Sequence, residues 1–195
     1  MMKEVERGRQ ALELAERGRT VALVSGGDPG IYAMAGLVFE LARRSSSRVT
    51  IEVVPGIAAL NACAARLGAP LMHDFAAISL SDLLTPWEVI AKRLKAAAGA
   101  DFVTVLYNPK SKRRTWQIEQ ARDIFLEQRK PDTPAGIVTA ATRPDEKIIL
   151  TTLADLADGE IGMQSTVIIG NSQSYIWNNL LITPRGYGDK YNLAG

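Results

Sequence analysis

The sequence predicts an α/β fold, and three observations carry that reading. Two strand–turn–helix units follow one another, and both turn on small residues. The first runs Val21-Ala22-Leu23-Val24, Ser25-Gly26-Gly27-Asp28-Pro29-Gly30, then the apolar-periodic stretch Ile31 to Leu41. The second runs Val49 to Val54, Pro55-Gly56, then the Ala-rich stretch Ile57 to Leu67. Past Asp82 the pattern becomes richer in strands, which divides the chain into two α/β subdomains, 1–82 and 83–195. Glycine-bearing turns at the carboxyl ends of strands let a ligand approach the main chain closely, so a ligand-binding α/β enzyme is expected.

Taken in order, Val5 to Arg17 reads as a helix with Val5, Ala11, Leu12 and Ala15 on one side and Gly18 at its end. The two units follow. Phe75 to Leu80 is a strand by composition, and Ser81-Asp82-Leu83-Leu84 a connector. Thr85-Pro86-Trp87-Glu88 has the arrangement of a capping box, and its helix continues through Ile90, Leu94 and Ala97. Phe102 to Tyr107 is a strand. A basic loop leads from it into a helix from Thr115 to Glu127. Ala135 to Thr139, Lys147 to Thr151 and Ser165 to Ile169 are further strands. A polar turn, Asn171-Ser172-Gln173-Ser174, precedes a last strand, Tyr175 to Ile182.

Composition narrows the function. The chain has 195 residues, 47% hydrophobic and 23% charged, which is that of an ordinary globular protein. A net charge of +2 creates no global field for nucleic acid. Cys63 is the only cysteine and His73 the only histidine, too few for a Cys/His metal cluster. Cys63 sits in an Ala-rich helix, where a small buried hydrophobe is the expected role. With no apolar run of membrane-spanning length and no leader pattern, a soluble cytoplasmic protein is expected.

The turns also exclude ligands. Gly26, Gly27 and Gly30 do not fit the dinucleotide pattern, and no phosphate-binding G-x-x-x-x-G-K-[ST] occurs. A carboxylate about 4 Å from a phosphate oxygen costs roughly 4 kcal/mol per charge pair at an effective dielectric near 20, so Asp28 weighs against phosphate. A ligand bearing hydroxyls, an ammonium or a sulfonium suits it. Asp28 equally suits the cap of a helix beginning near Pro29, and one carboxylate can do both.

Further along, Tyr107-Asn108-Pro109-Lys110-Ser111-Lys112-Arg113-Arg114 ends a strand and places four cations beside a serine. The run reads either as a solvated basic loop or as a site for a small polyanion. His73-Asp74 with Ser79, Ser81 and Asp82 forms a second group. Neighbours on a strand point to opposite faces, so no Ser/His/Asp triad is indicated. Imidazoles do move protons near neutral pH. Thr139 to Arg143 and Ser165-Thr166-Val167 are small-residue strand ends able to expose backbone groups. Arg185-Gly186-Tyr187 reads as a tail or a pocket rim.

Together these strings resemble the tetrapyrrole methylase family, and within it the precorrin-3B C(17)-methyltransferases of cobalamin biosynthesis. The Gly-Asp-Pro and Pro-Gly turns carry the wider resemblance. Gly68-Ala69-Pro70-Leu71-Met72-His73-Asp74-Phe75, Ile78 to Trp87, Leu106-Tyr107-Asn108-Pro109, Ile169-Gly170-Asn171-Ser172 and Thr183-Pro184-Arg185-Gly186-Tyr187 carry the narrower one. The resemblance implies a two-subdomain fold that binds S-adenosylmethionine in a cleft between subdomains and exists as a homodimer. By position it implies that Gly26, Gly27, Asp28, Ile31, Ala58, Ala59, Tyr107, Asn108, Ala141 and Thr166 line the cofactor. Lys110, Ser111, Arg114 and Arg185 would meet a tetrapyrrole substrate through its carboxylates.

The implied reaction methylates ring carbon 17 and contracts the macrocycle, by an oxygen-dependent or a cobalt-first version that the residues do not choose between. His73 is the expected acid or base, with Asp74, Ser79 and Ser81 orienting substrate. Orientation alone can remove roughly 7–11 kcal/mol of barrier, so a methyl displacement needs no dense catalytic cluster. Family members begin with a strand and a Gly-Pro-Gly turn that have no counterpart here, so an N-terminally truncated fold is expected. Two alternatives stay open: methylation of another tetrapyrrole carbon, and a binding or assembly module without activity. No metal, nucleic acid or membrane partner is expected.

Overall fold

The structure, a computed structural model, describes residues Lys3–Leu193 in two compact units, one ending at Ala59 and one beginning at Leu60. This boundary lies before the expected division near residue 82. The reason is strand pairing: the Phe75–Ser79 strand is hydrogen-bonded along its whole length to Val103–Tyr107 and so belongs with the later chain.

The first unit holds helices α1 (Glu4–Glu16) and α2 (Ala35–Arg44). Gly18 ends α1 as its position predicts. With φ 79° it lets its own N–H reach the Ala15 carbonyl and the Arg19 N–H reach the Leu14 carbonyl. Leu12 and Ala42 are the buried side chains of this helix pair. A hollow of about 500 Å³ between α1 and α2 is lined by Val5, Leu12, Leu37 and Leu41, with Arg9 and Arg44 among its charged residues. It shares no residue with the glycine turns.

The runs Val21–Val24 and Val49–Val54, expected as strands, join no ladder among the described residues. Apolar β-branched composition creates a preference for strand, but only a neighbouring strand completes one. Val24 stands 87% exposed and Val54 71%. The helix expected from Ile31 starts instead at Ala35, after the turn Pro29–Met34.

The second unit follows as α3 (Ala59–Leu67), β1 (Gly68–Ala69), β2 (Phe75–Ser79), α4 (Trp87–Gly99), β3 (Val103–Tyr107), α5 (Gln117–Leu126), β4 (Pro134–Thr139), β5 (Lys147–Thr152), β6 (Ser165–Ile169), β7 (Tyr175–Trp177), β8 (Leu180–Ile182) and the short α6 (Tyr187–Lys190). Five strands form one sheet in the order β2-β3-β6-β4-β5. β2 and β3 are parallel, and β6 is antiparallel to both β3 and β4. β2, β3 and β4 therefore run the same way and end on one edge, where β5 and β6 begin. Ile78, Leu106, Ile137 and Ile169 pack with Ile90, Leu94, Ile118 and Phe125 of α4 and α5 to form the core. On the opposite face Leu67 of α3 seats on Gly136, where a Cβ would stand 2.5 Å from the leucine methyls.

Two local expectations change. The last strand is a hairpin, because Asn178 and Asn179 both have positive φ (49° and 58°) and turn the chain between β7 and β8. β1, too short to read from sequence, pairs with β8 in a second sheet of order β1-β8-β7. The capping box at α4 does not form: Pro86 is the N-cap and no side chain caps the helix. Among the described residues no helix is long and apolar enough to cross a membrane, and no group of three His, Cys, Asp or Glu could hold a metal.

Arg129, 8% exposed, fastens the amino edge of the five-stranded sheet. Its guanidinium donates to the carbonyls of Gly170, Phe102 and Ala97 and lies over the Phe125 ring at 4.8 Å. Burial pulls its pKa down, and Asp101 at 3.7 Å opposes that shift. Arg129→Met would strand three carbonyls. We expect a loss of about 3 kcal/mol, read as a lower urea midpoint at unchanged m-value.

Candidate functional site

In the first unit the two glycine turns are one structure. Gly27 has φ 77°, a conformation open to glycine, and a Cβ built there would lie 3.3 Å from the Ile57 carbonyl. A Cβ on Gly56 would stand 2.3 Å from the Gly27 carbonyl oxygen, so only glycine fits. Asp28 ties the turns together. Its Oδ1 accepts the Gly30 N–H at 2.8 Å and its Oδ2 the Gly56 N–H at 3.1 Å, across 28 residues of sequence. Asp28 therefore does not cap α2, which starts seven residues later. The Gly56 and Gly30 N–H groups, in that order, hold its carboxyl below the usual carboxylate range. Gly26 differs from its neighbours: a Cβ there meets nothing within 4 Å, so one flank of the main chain is open. Ile31 is exposed, Ala58 is 2% exposed, and Ala59 begins α3.

In the second unit the carboxyl edge of the sheet collects most of the remaining candidates. Ser79 and Tyr107 are paired in register at the ends of β2 and β3. Ser79 Oγ accepts from Asn108 Nδ2 at 3.0 Å and from the Ser81 N–H at 3.2 Å, which leaves its hydroxyl hydrogen free to donate. Asn108 is left-handed, φ 51°. Tyr107 Oη accepts the Leu60 N–H at 2.9 Å. Arg114 is buried, with Nε donating to the Asn108 carbonyl at 3.0 Å and Nη1 to Ser81 Oγ at 3.5 Å. Ser111 Oγ accepts the N–H of Arg113 and Arg114, so it braces the loop. Lys110 is half-buried, and Arg185, beyond β8, is exposed.

Ala141 lies on the same edge between two left-handed residues, Ala140 (φ 51°) and Thr142 (φ 65°). Glu146 secures that turn by accepting from the Thr142 N–H and from Arg66 Nε, and its carboxyl is held low by those two partners. Thr166 is buried and paired with Val138, one step from the Leu106–Val167 pair. Cys63 is 2% exposed, and burial pushes its thiol pKa up, as suits a packing residue.

His73 and Asp74 lie elsewhere. Asp74 accepts the Val103 N–H at the amino end of β2, five residues before Ser79, or roughly 16 Å along a strand. His73 Nδ1 accepts the Asp74 N–H at 2.8 Å. The edge thus brings Ser79 and Ser81 together but leaves His73 and Asp74 at the other end of the strand.

Three participants were not singled out in the sequence. Gln117 is 2% exposed, and its Nε2 donates to Asp82 at 2.9 Å while its Oε1 has no partner. Glu146 and Arg66 form the second missed brace, 80 residues apart. Arg66 and Gln117 lie on helices and Glu146 just before β5, and no local pattern marks any of them.

Comparison with known proteins bears on this site. The family description Tetrapyrrole (Corrin/Porphyrin) Methylases matches residues 2–157. The chain belongs to the tetrapyrrole methylase family. It is 53% identical over 197 residues to the cobalt-factor III methyltransferase of Priestia megaterium, covering 99% of this chain and 36% of that protein. It is 50% identical to the probable cobalt-factor III C(17)-methyltransferase of Salmonella typhimurium, covering 96% of this chain and 78% of that protein. Among solved structures, the methyltransferase CobJ superimposes with a TM-score of 0.88 at 39% identity, over 93% of this chain and 77% of that one. Uroporphyrin-III C-methyl transferase from Thermus thermophilus, complexed with S-adenyl homocysteine, gives 0.63 at 25% identity, over 86% and 73%. The chain therefore spans about a third of one relative and over three quarters of the other.

In this tetrapyrrole methylase the Asp28 tie has a defined pH dependence. The unfolded chain protonates Asp28 near 3.8 and the folded chain protonates it lower. Its stabilising contribution is complete above the unfolded value and lost as pH falls through the folded one. Exchange of the Gly56 amide, followed by hydrogen–deuterium exchange, should lose protection only below about pH 3.8. In Asp28→Asn that acid transition should vanish.

Proposed function

We propose that the chain is an S-adenosylmethionine-dependent C-methyltransferase acting on ring carbon 17 of a cobalt-factor III- or precorrin-3B-type tetrapyrrole, with contraction of the macrocycle. The observation that carries the reading is 50% identity over 96% of the chain to a C(17)-methyltransferase. The names of both relatives above favour the cobalt-containing substrate. A cytoplasmic homodimer belongs to the same proposal.

The cofactor fits the residues present. When bound, S-adenosylmethionine supplies an electrophilic methyl group on a positively charged sulfur. The open flank of Gly26 and the fixed turn at Gly27 and Asp28 offer main chain to such a ligand. Ile31, Ala58, Ala59, Tyr107, Asn108, Ala141 and Thr166 are proposed to line it. The Asp28 carboxylate holds two N–H groups, so its proposed role is to fix the turn beside the ligand and to contribute its charge.

For the substrate, Lys110 and the exposed Arg185 are proposed to meet carboxylates, and Ser79, with its free hydroxyl hydrogen, to donate a hydrogen bond. The proton movement of ring contraction is proposed for a group at one end of β2: His73 with Asp74 at the amino end, or Ser79 and Ser81 at the carboxyl end. A single reacting carbon does not touch both ends.

A second reading, a binding or assembly module, is favoured by one observation: among the described residues the apolar runs Val21–Val24 and Val49–Val54 have no ladder partners. Calorimetric titration with S-adenosylmethionine separates the two. Binding, followed by a gain of one methyl mass on the tetrapyrrole, supports the enzyme. Absence of binding removes the cofactor reading.

Gly26→Ala is the most discriminating variant, since its Cβ meets no protein atom. It should leave the melting temperature unchanged and weaken S-adenosylmethionine by about tenfold or more, as a Cβ in the ligand's path would. His73→Ala should leave cofactor affinity unchanged. Turnover of that variant, set beside Ser79→Ala and Ser81→Ala, then reports which end of β2 faces the reacting carbon.

A further inference from the structure

The loop after β3 is held from the inside by an arginine that its sequence context advertises as a solvent cation. Arg114 ends a run of four basic residues, yet it is 7% exposed where Lys112 and Arg113 are exposed. Its guanidinium turns back onto the protein. Nε donates to the Asn108 carbonyl at 3.0 Å, and Nη1 reaches Ser81 Oγ at 3.5 Å. Ser111 closes the loop around it: the Ser111 N–H donates to the Arg114 carbonyl at 2.8 Å, and Ser111 Oγ accepts the Arg114 N–H at 3.1 Å. Between strand and loop stands Asn108 at φ 51°, a left-handed backbone that asparagine adopts more readily than most residues and that its neighbours here hold in place. Its carbonyl is the atom Arg114 grips, and its amide is the group Ser79 holds.

We propose that Arg114 is a positioning residue for the strand end Tyr107–Asn108 and does not meet a substrate carboxylate. By fixing the left-handed main chain of Asn108 it fixes the direction in which β3 leaves the sheet. That direction in turn sets the surface offered to the cofactor. This role rests on the cofactor reading above for its functional consequence, although the bracing itself does not. The planar guanidinium matters because it reaches two acceptors from one rigid fork, which a lysine ammonium at the end of a flexible stem does not reproduce.

Two measurements test the inference. The Leu80 N–H donates to the Tyr107 carbonyl at 2.9 Å and the Leu60 N–H to Tyr107 Oη at 2.9 Å, so their hydrogen exchange reports the strand end directly. In Arg114→Met both amides should exchange about tenfold faster while amides of α5 stay unchanged. Affinity for S-adenosylhomocysteine should fall about tenfold while the KM for the tetrapyrrole holds. Arg114→Lys should resemble Arg114→Met; a contact to a carboxylate would instead be largely rescued by lysine. Glycine accepts positive φ freely, so in an Asn108→Gly background Arg114→Met should change exchange by less than about threefold. Unaltered exchange in Arg114→Met, or full rescue by lysine, would overturn the proposal. A wild-type chain that binds no S-adenosylhomocysteine would remove the cofactor reading, and the exchange comparison would still decide the role of Arg114.

Discussion

Where a strand ends, its N–H and C=O groups lose their ladder, and each must find another partner or face water. The same need for partners holds for main chain that joins no strand, so it organises both sets of site residues. In the first unit Asp28 answers it by accepting two main-chain N–H groups, from Gly30 and Gly56, that no strand pairs. In the second unit, at the carboxyl edge of the sheet, Ser79 accepts the Ser81 N–H, Glu146 accepts the Thr142 N–H, and Arg114 donates to the Asn108 carbonyl. Each gives a main-chain group outside a ladder a side-chain partner. The result at each place is main chain that is fixed yet not covered by another strand, which is what close approach of a small ligand requires.

Two buried arginines show how the same device serves different ends of one sheet. Arg129 sits at the amino edge and gathers the carbonyls of Ala97, Phe102 and Gly170, joining the end of α4, the start of β3 and the turn after β6. Nearby Asp101 is left-handed at the end of α4, and its carboxylate accepts from the Ser172 N–H and Oγ. That corner is closed on itself. Arg114, at the carboxyl edge, grips a single carbonyl and a serine hydroxyl beside Ser79, whose hydroxyl hydrogen is free to donate. Closure suits a role in stability, and residual hydrogen-bonding capacity suits a role in recognition.

Much of this was legible in the residues. Every helix but the short α6, and β2 to β6, follow from apolar periodicity and turn residues, because those strands find their partners within the same unit. The runs Val21–Val24 and Val49–Val54 read equally well as strands and are not, since pairing is a property of the neighbourhood and not of the run. The Asn178-Asn179 turn was hidden by the apolar residues on both sides. For Asp28 the sequence leaves a helix cap and a ligand contact both open, because a local pattern can name a partner three residues away but not one at Gly56. Likewise the basic run announced Arg114 as a charge, while its burial depends on Asn108 and Ser81 arriving from two other elements. Many of the family strings fall on one edge of the sheet; the hydrogen bonds that brace their residues join distant positions.

The chemistry proposed for the chain also explains why its site contains so little titratable machinery. Transfer of a methyl group from a sulfonium disperses charge in the transition state, so strong local fields add little and orientation dominates. A site for such a reaction is best built from rigid main chain. Left-handed residues at Asn108, Ala140 and Thr142 on one sheet edge are consistent with that demand, because each departs from the easy backbone regions and persists only under bracing. Asn108 is braced by Arg114 and Ser79, and Thr142 by Glu146 held against Arg66. Bracing of this kind places charge where it holds the backbone rather than where bonds change. Methyl transfer itself thus requires no dense acid–base cluster, and the polar side chains at the strand ends act first on the fold of the main chain.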